Sequence, residues 1–462
     1  MQIAGIILAA GKGTRMNSTK PKVLHEICGL PLFEHVGRAM REAGVTKPIL
    51  VVEDPNDAEW EPYQNAYAFA RQSDRRGTAH AVSTAIPALK DFEGPVFVAP
   101  GDAPLATPHV FLTLAEKLRS ENAACTIATC KLNDPTGYGR VVRSDSGTVS
   151  KVVEELDASE AERNIKEVNS SFYCFDAAAL RRHIASISDH NAKGEMYLTD
   201  IIEILNKAGC GVSSVLIPDS DILLGINDRW QLAQAAEIMR TRLLKALALS
   251  GVTIVSPGAT FVDADVQVGR DTVIQPMTVL AGKTRIASNC EIGPGCRIVD
   301  SQVGERCVVI SSQLNQTAVG EGCRIGPYAN LRPGTVLGRN VRVGDYVEIK
   351  NSEIGEDATL AHLAYVGDAK IGARTNIGAG TITCNFDGRK KHRTEIGDDV
   401  FVGSNSTLVA PVALQSGSYV AAGSVITEDV PADALGIGRS RQVNKQGWAK
   451  KWKEIVFGKS QK

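Results

Sequence analysis

Residues 319–338 read VGEGCRIGPYANLRPGTVLG. Val319-Gly320, Ile325-Gly326 and Leu337-Gly338 each set a glycine directly behind an aliphatic residue, and such pairs return at multiples of about six positions. The pattern continues upstream at Val268-Gly269, Ile292-Gly293 and Val303-Gly304. Downstream it recurs at Val343-Gly344, Ile354-Gly355, Ile371-Gly372, Ile377-Gly378, Ile396-Gly397 and Val402-Gly403. A helix repeats at about 3.6 residues and a strand at about 2, so neither accounts for it. A parallel β-helix does, because each side of a coil needs one inward aliphatic residue and a small residue at the turn. The polar stretch Asn385 to Arg393 (NFDGRKKHR) interrupts the repeat, and interruptions of a solenoid tend to lie on a binding face.

The first half follows another rule. Apolar runs at residues 3–8, 48–52 and 96–99 alternate with helical patterns at 32–43 and 109–119, which predicts βα units and an open, largely parallel sheet with ligands at the carboxyl ends of its strands. Residues 229–249 contain no Gly or Pro and place Leu232, Ala236, Met239, Leu243 and Leu247 at helical spacing. The expected organisation is therefore an α/β domain over 1–228, a linking helix over 229–250, an all-β helix over 251–438 and a basic tail over 439–462. With 462 residues, more than one core is expected.

Lys+Arg 51 against Asp+Glu 52 leaves a formal net charge of -1, which removes a strong electrostatic case for nucleic acid. The tail lysines Lys445, Lys450, Lys451, Lys453 and Lys459 around Trp448 and Trp452 are read as a solvated terminal segment. No apolar stretch reaches the roughly 18 residues of a membrane span. The apolar start lacks a basic leader and reads as a strand, not a signal peptide. Ten cysteines form no Cys-x-x-Cys pair and have no histidine at zinc spacing, so they are expected to be small core residues of a reduced, cytoplasmic protein.

Behind the first apolar run stands Gly11-Lys12-Gly13-Thr14-Arg15. It is not a Walker loop, which needs an upstream glycine, nor a dinucleotide fingerprint, which needs glycine where Met16 stands. Small residues let backbone N–H groups approach a ligand closely, and Lys12 with Arg15 adds two cations suited to phosphates. Taken alone, the loop is as readily a tight turn with solvated charges. Pro21-Lys22, Gly101-Asp102 and Gly225-Ile226-Asn227 accompany it. Asp102 alone is as often a turn residue, and Asn227 alone more often a helix N-cap.

In this order the motifs resemble the bacterial bifunctional N-acetylglucosamine-1-phosphate uridylyltransferase / glucosamine-1-phosphate acetyltransferase family, from about residue 3 to about residue 448. The resemblance also covers Asp134-Pro135-Thr136-Gly137-Tyr138-Gly139-Arg140, Leu331-Arg332-Pro333-Gly334, Gly378-Ala379-Gly380-Thr381-Ile382-Thr383-Cys384-Asn385 and Val402-Gly403-Ser404. It implies a left-handed, trimeric β-helix behind the α/β domain. For uridylyl transfer it implies Lys22 and Arg15 as catalytic cations, and that UTP is held by Leu8, Ala9, Ala10, Gly11, Lys12, Lys22, Gln72, Gly77, Thr78, Pro100 and Gly101. Asp102 and Asn227 would hold Mg2+, and Gly139, Glu154 and Asn169 the sugar.

For acetyl transfer the resemblance implies His362 as general base, steadied by Asn385, although a lone histidine in such a repeat is more often structural. Arg332, Lys350, Tyr365, Asn376 and Lys391 would hold the sugar phosphate. Ala379, Asn385, Phe386, Ser404, Ala422 and Arg439 would hold acetyl-CoA. Two positions depart from the family: Ala79 and Ser171 stand where glycine is frequent. Competing readings are a pyrophosphorylase whose β-helix only assembles it, and a non-catalytic scaffold on the same domains. Neither nucleic acid nor a membrane is expected as partner.

Overall fold

The structure, a computed structural model, describes residues 2–223 and 225–458. Two compact units divide between Leu243 and Leu244. In the first, the main sheet runs in the order Val212–Leu216, Cys125–Lys131, Glu167–Asp176, Pro95–Pro100, Ala4–Leu8, Ile49–Val52, Ala68–Arg71. Only Glu167–Asp176 is antiparallel to its neighbours on this path. A hairpin of Arg140–Arg143 and Val149–Val153 attaches to it through Val168.

Ile49–Val52 is buried throughout because helices cover both faces of the sheet. On one face Leu32–Glu42 and Pro108–Ser120 bury Phe33, Val36, Met40, Phe111 and Leu114. On the other, Thr78–Ala85, Ala177–His183 and Ile201–Lys207 bury Val82, Leu180, Ile201 and Leu205. Both helices expected here form, each within a residue of its predicted ends. The helix Arg229–Leu249 is continuous, and its first half packs Leu232, Ala235 and Met239 against Ile27, Leu32, Leu105 and Ile226 of the first unit.

The second unit is a left-handed parallel β-helix with sheets of eleven, ten and nine strands among the described residues. Each strand pairs in parallel with the one a full coil later, so inward residues stack in columns. One column runs Ile274, Ile292, Val309, Ile325, Val343, Leu360, Ile377, Val402, Val420. A second runs Ile286, Val303, Val319, Leu337, Ile354, Ile371, Ile396, Leu414. These two contain the aliphatic-glycine pairs of the sequence. Glycine is needed because the coils approach closely there: a Cβ on Gly355 would lie 2.6 Å from the backbone nitrogen of Ala373.

The third column, Leu280, Ile298, Leu314, Leu331, Ile349, Val366, has no regular glycine behind it. Its outer neighbours include Arg332 and Lys350. The polar loop is an insertion in one coil: Ile354 pairs with Ile371, and Ile371 pairs with Ile396 beyond the loop.

All ten cysteines are free, and Cys28, Cys210 and Cys384 are partly exposed while the rest are buried. Cys290, Cys307 and Cys323 occupy one corner of successive coils, each thiol donating to a glycine carbonyl of the next coil at 3.1 Å. The tail forms the helix Trp448–Phe457, solvent-exposed as expected, with Trp448 and Trp452 stacked at 6.1 Å. Lys459 lies outside the described residues. No helix among the described residues is long and apolar enough to cross a membrane.

Leu331 is fully buried in the third column. Leu331→Ala is expected to lower unfolding stability of the β-helix by about 2–5 kcal/mol through the cavity it leaves, as read by urea denaturation.

Candidate active sites

The first constellation gathers at the carboxyl ends of the parallel strands. Leu8 ends its strand beside Pro100, and its carbonyl accepts the Gly101 N–H at 2.9 Å. Ala9 N–H donates to Val51 O, and Gln72 N–H to Val52 O, so three strand ends converge. Around Ala9, Ala10, Gly11 and Lys12 lies a cavity of about 160 Å³, also lined by Lys20, Pro21, Glu53 and Arg75. Arg75 donates to Ala10 O at 2.8 Å and pairs with Glu53, pinning the loop from the side. Nothing in the sequence marks it, because an arginine in a polar loop carries no spacing signal.

Lys22 Nζ pairs with Asp102 and reaches Asn227 Oδ1 at 3.4 Å, while Arg15 Nη2 donates to the same oxygen at 2.9 Å. Ile226 N–H donates to Asp102 O, tying the two motifs together, and Asn227 N–H donates to Gln231 Oε1. Residues far apart in sequence thus form one cluster of two cations and two oxygen donors. No group of three His, Cys, Asp or Glu residues suited to a metal occurs among the described residues.

Gln72 is buried and donates to Gly77 O at 3.1 Å; Thr78 Oγ1 accepts the Leu198 N–H. Ala79, one of the two departures, points its methyl into the core. Glu154 accepts from Thr199 Oγ1 at 3.0 Å, and burial raises its carboxyl above the usual carboxylate range. It lies close to Gly139, whose carbonyl accepts the Asn169 N–H. Asn169 is itself buried, donating to Tyr173 Oη at 2.8 Å. Ser171, the other departure, is exposed at φ 64°, a left-handed conformation in which a side chain costs about 1–2 kcal/mol relative to glycine.

Beside Glu154 the carboxyl of Asp200 is pushed up to about 6, first by burial and then by Glu154 and Asp157. Tyr197, with no partner for its buried hydroxyl, is pushed up to about 12, again mainly by burial.

The second constellation spans the unmarked third side of the β-helix, with Arg332, Lys350 and Tyr365, and the first side, with Asn376 and His362. Lys350 ends a strand with Gly367 as its register partner. A Cβ on Gly367 would lie 2.6 Å from Tyr365 Oη and 2.7 Å from Asn385 Nδ2, so the glycine lets these two polar groups converge. Asn385 donates to Asp368 at 2.5 Å, and Lys391 lies 3.8 Å from the same carboxylate. The ammonium of Lys391 beside it holds Lys350 below the usual lysine range. Arg332 pairs with Glu348 at 2.7 Å in the adjoining coil. Adjacent cations of this kind suit a phosphate. Asn376 is half-buried on the strand between Thr359 and Phe401.

His362 lies at the end of the strand Thr359–His362, its Nδ1 2.5 Å from Asp345 Oδ1. Asp345 was not among the residues singled out from sequence. Together they line a cavity of about 450 Å³ with Arg324 and Arg342. Ala379, Ser404 and Ala422 follow one corner of successive coils: Asn405 N–H donates to Ala379 O, and Gly423 N–H to Ser404 O. Arg439 continues the line, its Cδ 3.7 Å from where a Cβ on Gly423 would lie. Phe386 is exposed on the inserted loop, bridged to Lys391.

An α/β nucleotide-binding unit followed by a hexapeptide β-helix with a histidine-carboxylate pair defines a two-domain transferase. Residues 5–172 match the MobA-like NTP transferase domain, 256–354 the GMPPB C-terminal domain and 393–428 the hexapeptide repeat of succinyl-transferase. The chain is 46% identical over 446 residues to the bifunctional protein GlmU of Acetivibrio thermocellus, covering 96% of this chain and 97% of that one. To the bifunctional protein GlmU of Caldanaerobacter subterraneus it is 47% identical over 447 residues, covering 97% of each. To that of a Geobacillus species it is 44% identical over 443 residues, covering 96% of each. The chain belongs to the GlmU family of bifunctional proteins, and it is an enzyme with nucleotidyltransferase and acyltransferase domains.

Asp200 caps the helix Ile201–Lys207 without a side-chain cap bond, so an amide there loses no such contact. Its raised carboxyl makes ionised Asp200 a burden that is full above about pH 6 and gone below its unfolded value near 3.8. Asp200→Asn is therefore expected to raise the melting temperature of the first unit at pH 7.5 and to raise it less as pH falls toward 4. Equal gains at both ends would refute the shift.

Proposed function

We propose that this chain makes UDP-N-acetylglucosamine in two steps. The second unit transfers acetyl from acetyl-CoA to glucosamine-1-phosphate, and the first joins the product to UTP with release of pyrophosphate. The observation that carries this reading is that one chain holds both constellations: Lys22, Asp102, Asn227 and Arg15 in one unit, and His362 with the Lys350–Lys391 cluster in the other. A β-helix serving only as a spacer has no use for the second set.

In acetyl transfer, Lys350, Lys391 and Arg332 neutralise the sugar phosphate and fix the sugar on the β-helix. His362 takes the proton from the sugar ammonium, freeing the amine to attack the thioester carbonyl. Backbone N–H groups near Ser404 serve the resulting oxyanion; the nitrogen then gives its second proton to His362, the intermediate collapses to the amide, and the departing CoA thiolate takes that proton. The corner line from Ala379 to Arg439 holds the coenzyme, and Asn385 steadies the reacting groups.

In uridylyl transfer, a sugar-phosphate oxygen attacks the α-phosphorus of UTP in line with the departing pyrophosphate. Lys12 and Arg15 meet the leaving phosphates and Lys22 the α-phosphate. Gln72, Gly77 and Thr78 hold the base; Gly139, Glu154 and Asn169 hold the sugar. Asp102 and Asn227 are assigned to Mg2+, a hard cation that takes oxygen donors and keeps several waters; a single carboxylate and an amide, both already gathered around one ammonium, fit that demand. When bound, the cation adds charge neutralisation at the phosphates. The enzyme is assigned to the cytoplasm, as a homotrimer assembled through its β-helix.

Mass spectrometry of products from glucosamine-1-phosphate, acetyl-CoA, UTP and magnesium should give UDP-N-acetylglucosamine only from the complete mixture. Formation only from ready-made N-acetylglucosamine-1-phosphate would leave uridylyl transfer standing and remove the acetyl step. Asp102→Ala should reduce uridylyl transfer by about 100-fold or more while sparing acetyl transfer; unchanged magnesium-dependent turnover would remove the metal assignment.

A further inference from the structure

Asp345 and His362 form a pair that the fold itself does not need. The strand Arg342–Asp345 runs parallel to Thr359–His362, with Asp345 the register partner of His362. The backbone ladder already joins the coils there, Leu363 N–H donating to Asp345 O at 2.9 Å. The side chains are 54% and 37% exposed, and an ion pair so open to water adds little to stability. Its value lies in chemistry.

We propose that Asp345 is the positioning residue for His362 in acetyl transfer. The proposal rests on His362 being the general base and adds the group that makes it one. A carboxylate only accepts hydrogen bonds, so Nδ1 carries the hydrogen and the lone pair is left on Nε2. The same bond holds a largely exposed ring in one orientation. The proton removed from the sugar ammonium passes through Nε2 to water before attack; the second, lost from the nitrogen as it bonds to the thioester carbonyl, goes to Nε2 and on to the departing thiolate sulfur, while Asp345 stays ionised throughout. The hydrogen bond from His362 holds the Asp345 carboxyl below the usual carboxylate range, in keeping with that role.

Charge in the cavity makes the carboxylate necessary. Arg324 and Arg342, register partners on neighbouring coils, line the same cavity and place two cations in it. Asp345 is the one carboxylate among the residues lining it. Asp345 therefore supplies the negative charge beside the ring at the moment the imidazolium forms.

The test compares full-length wild type with Asp345→Asn and His362→Ala, measuring acetyl transfer from about pH 5.5 to about pH 9, with circular dichroism melts to establish that each folds. The amide keeps the shape of the carboxylate but removes its charge and lets an NH2 face Nδ1. Asp345→Asn should lower kcat by about 10²–10⁴-fold and leave KM for glucosamine-1-phosphate within about twofold. The acid limb of its kcat/KM profile should move to lower pH, because the imidazolium has lost its counter-charge. Histidine-selective 15N spectra should show the Nδ1–H form of His362 in wild type and its loss in the variant.

A wild-type rate in Asp345→Asn, or a uniform loss with an unmoved acid limb and an unchanged tautomer, overturns the proposal. The two readings fail separately. An active His362→Ala removes the base assignment and the positioning role with it, whereas an inactive His362→Ala beside a normal Asp345→Asn removes only the role of Asp345.

Discussion

Every inward side chain of the β-helix sits on the equivalent residue of the coil before it, and this stacking register decides where the outward side chains fall. Ile349 on Leu331 and Val366 on Ile349 bring Lys350 level with Gly367. Val343 on Ile325 and Leu360 on Val343 bring Asp345 level with His362. A slip of one residue in a strand would turn its apolar residues outward and separate these pairs, so the hydrophobic columns and the chemistry are held by one constraint.

The first unit reaches the same end by different means. Its strands are buried on both faces and stop at a common edge, where the chain must turn through loops of small residues. Those loops deliver Lys22, Asp102 and Asn227 to one place from three distant parts of the chain. Lysine pairs with aspartate while arginine donates to the neutral asparagine carbonyl, so the cluster keeps one uncompensated positive charge. Elsewhere in the unit, Glu154 and Asp200 sit in surroundings that resist ionisation.

Two sides of the β-helix were legible in the sequence because close approach of coils demands glycine behind each aliphatic residue. The third was not, since Arg332, Lys350 and Asn315 occupy the corresponding places. Arg332, Lys350 and Tyr365 lie on that unmarked side, whereas Asp345, His362 and Asn376 stand on the first, glycine-marked side. His362 was singled out by its neighbours, but Asp345 was invisible, since a lone aspartate near a turn resembles the aspartates at many other corners. Arg75 escaped for the same reason. Of the two departures from the family, Ala79 proved to be packing and Ser171 an exposed left-handed residue, a distinction that composition does not contain.

By itself the sequence determined the period of the second unit, the alternation of the first, the continuous helix between residues 229 and 249, and the family to which the motifs belong. Those are properties of neighbouring residues, and hydrophobic spacing is written directly in the chain. Tertiary structure alone decided that Asp345 meets His362, that Lys391 returns from an inserted loop to Asp368 and Lys350, and that Arg75 reaches back to Ala10. Each joins residues whose separation is set by coil length, loop closure or strand order. Such distances arise only when the apolar columns and sheets have packed.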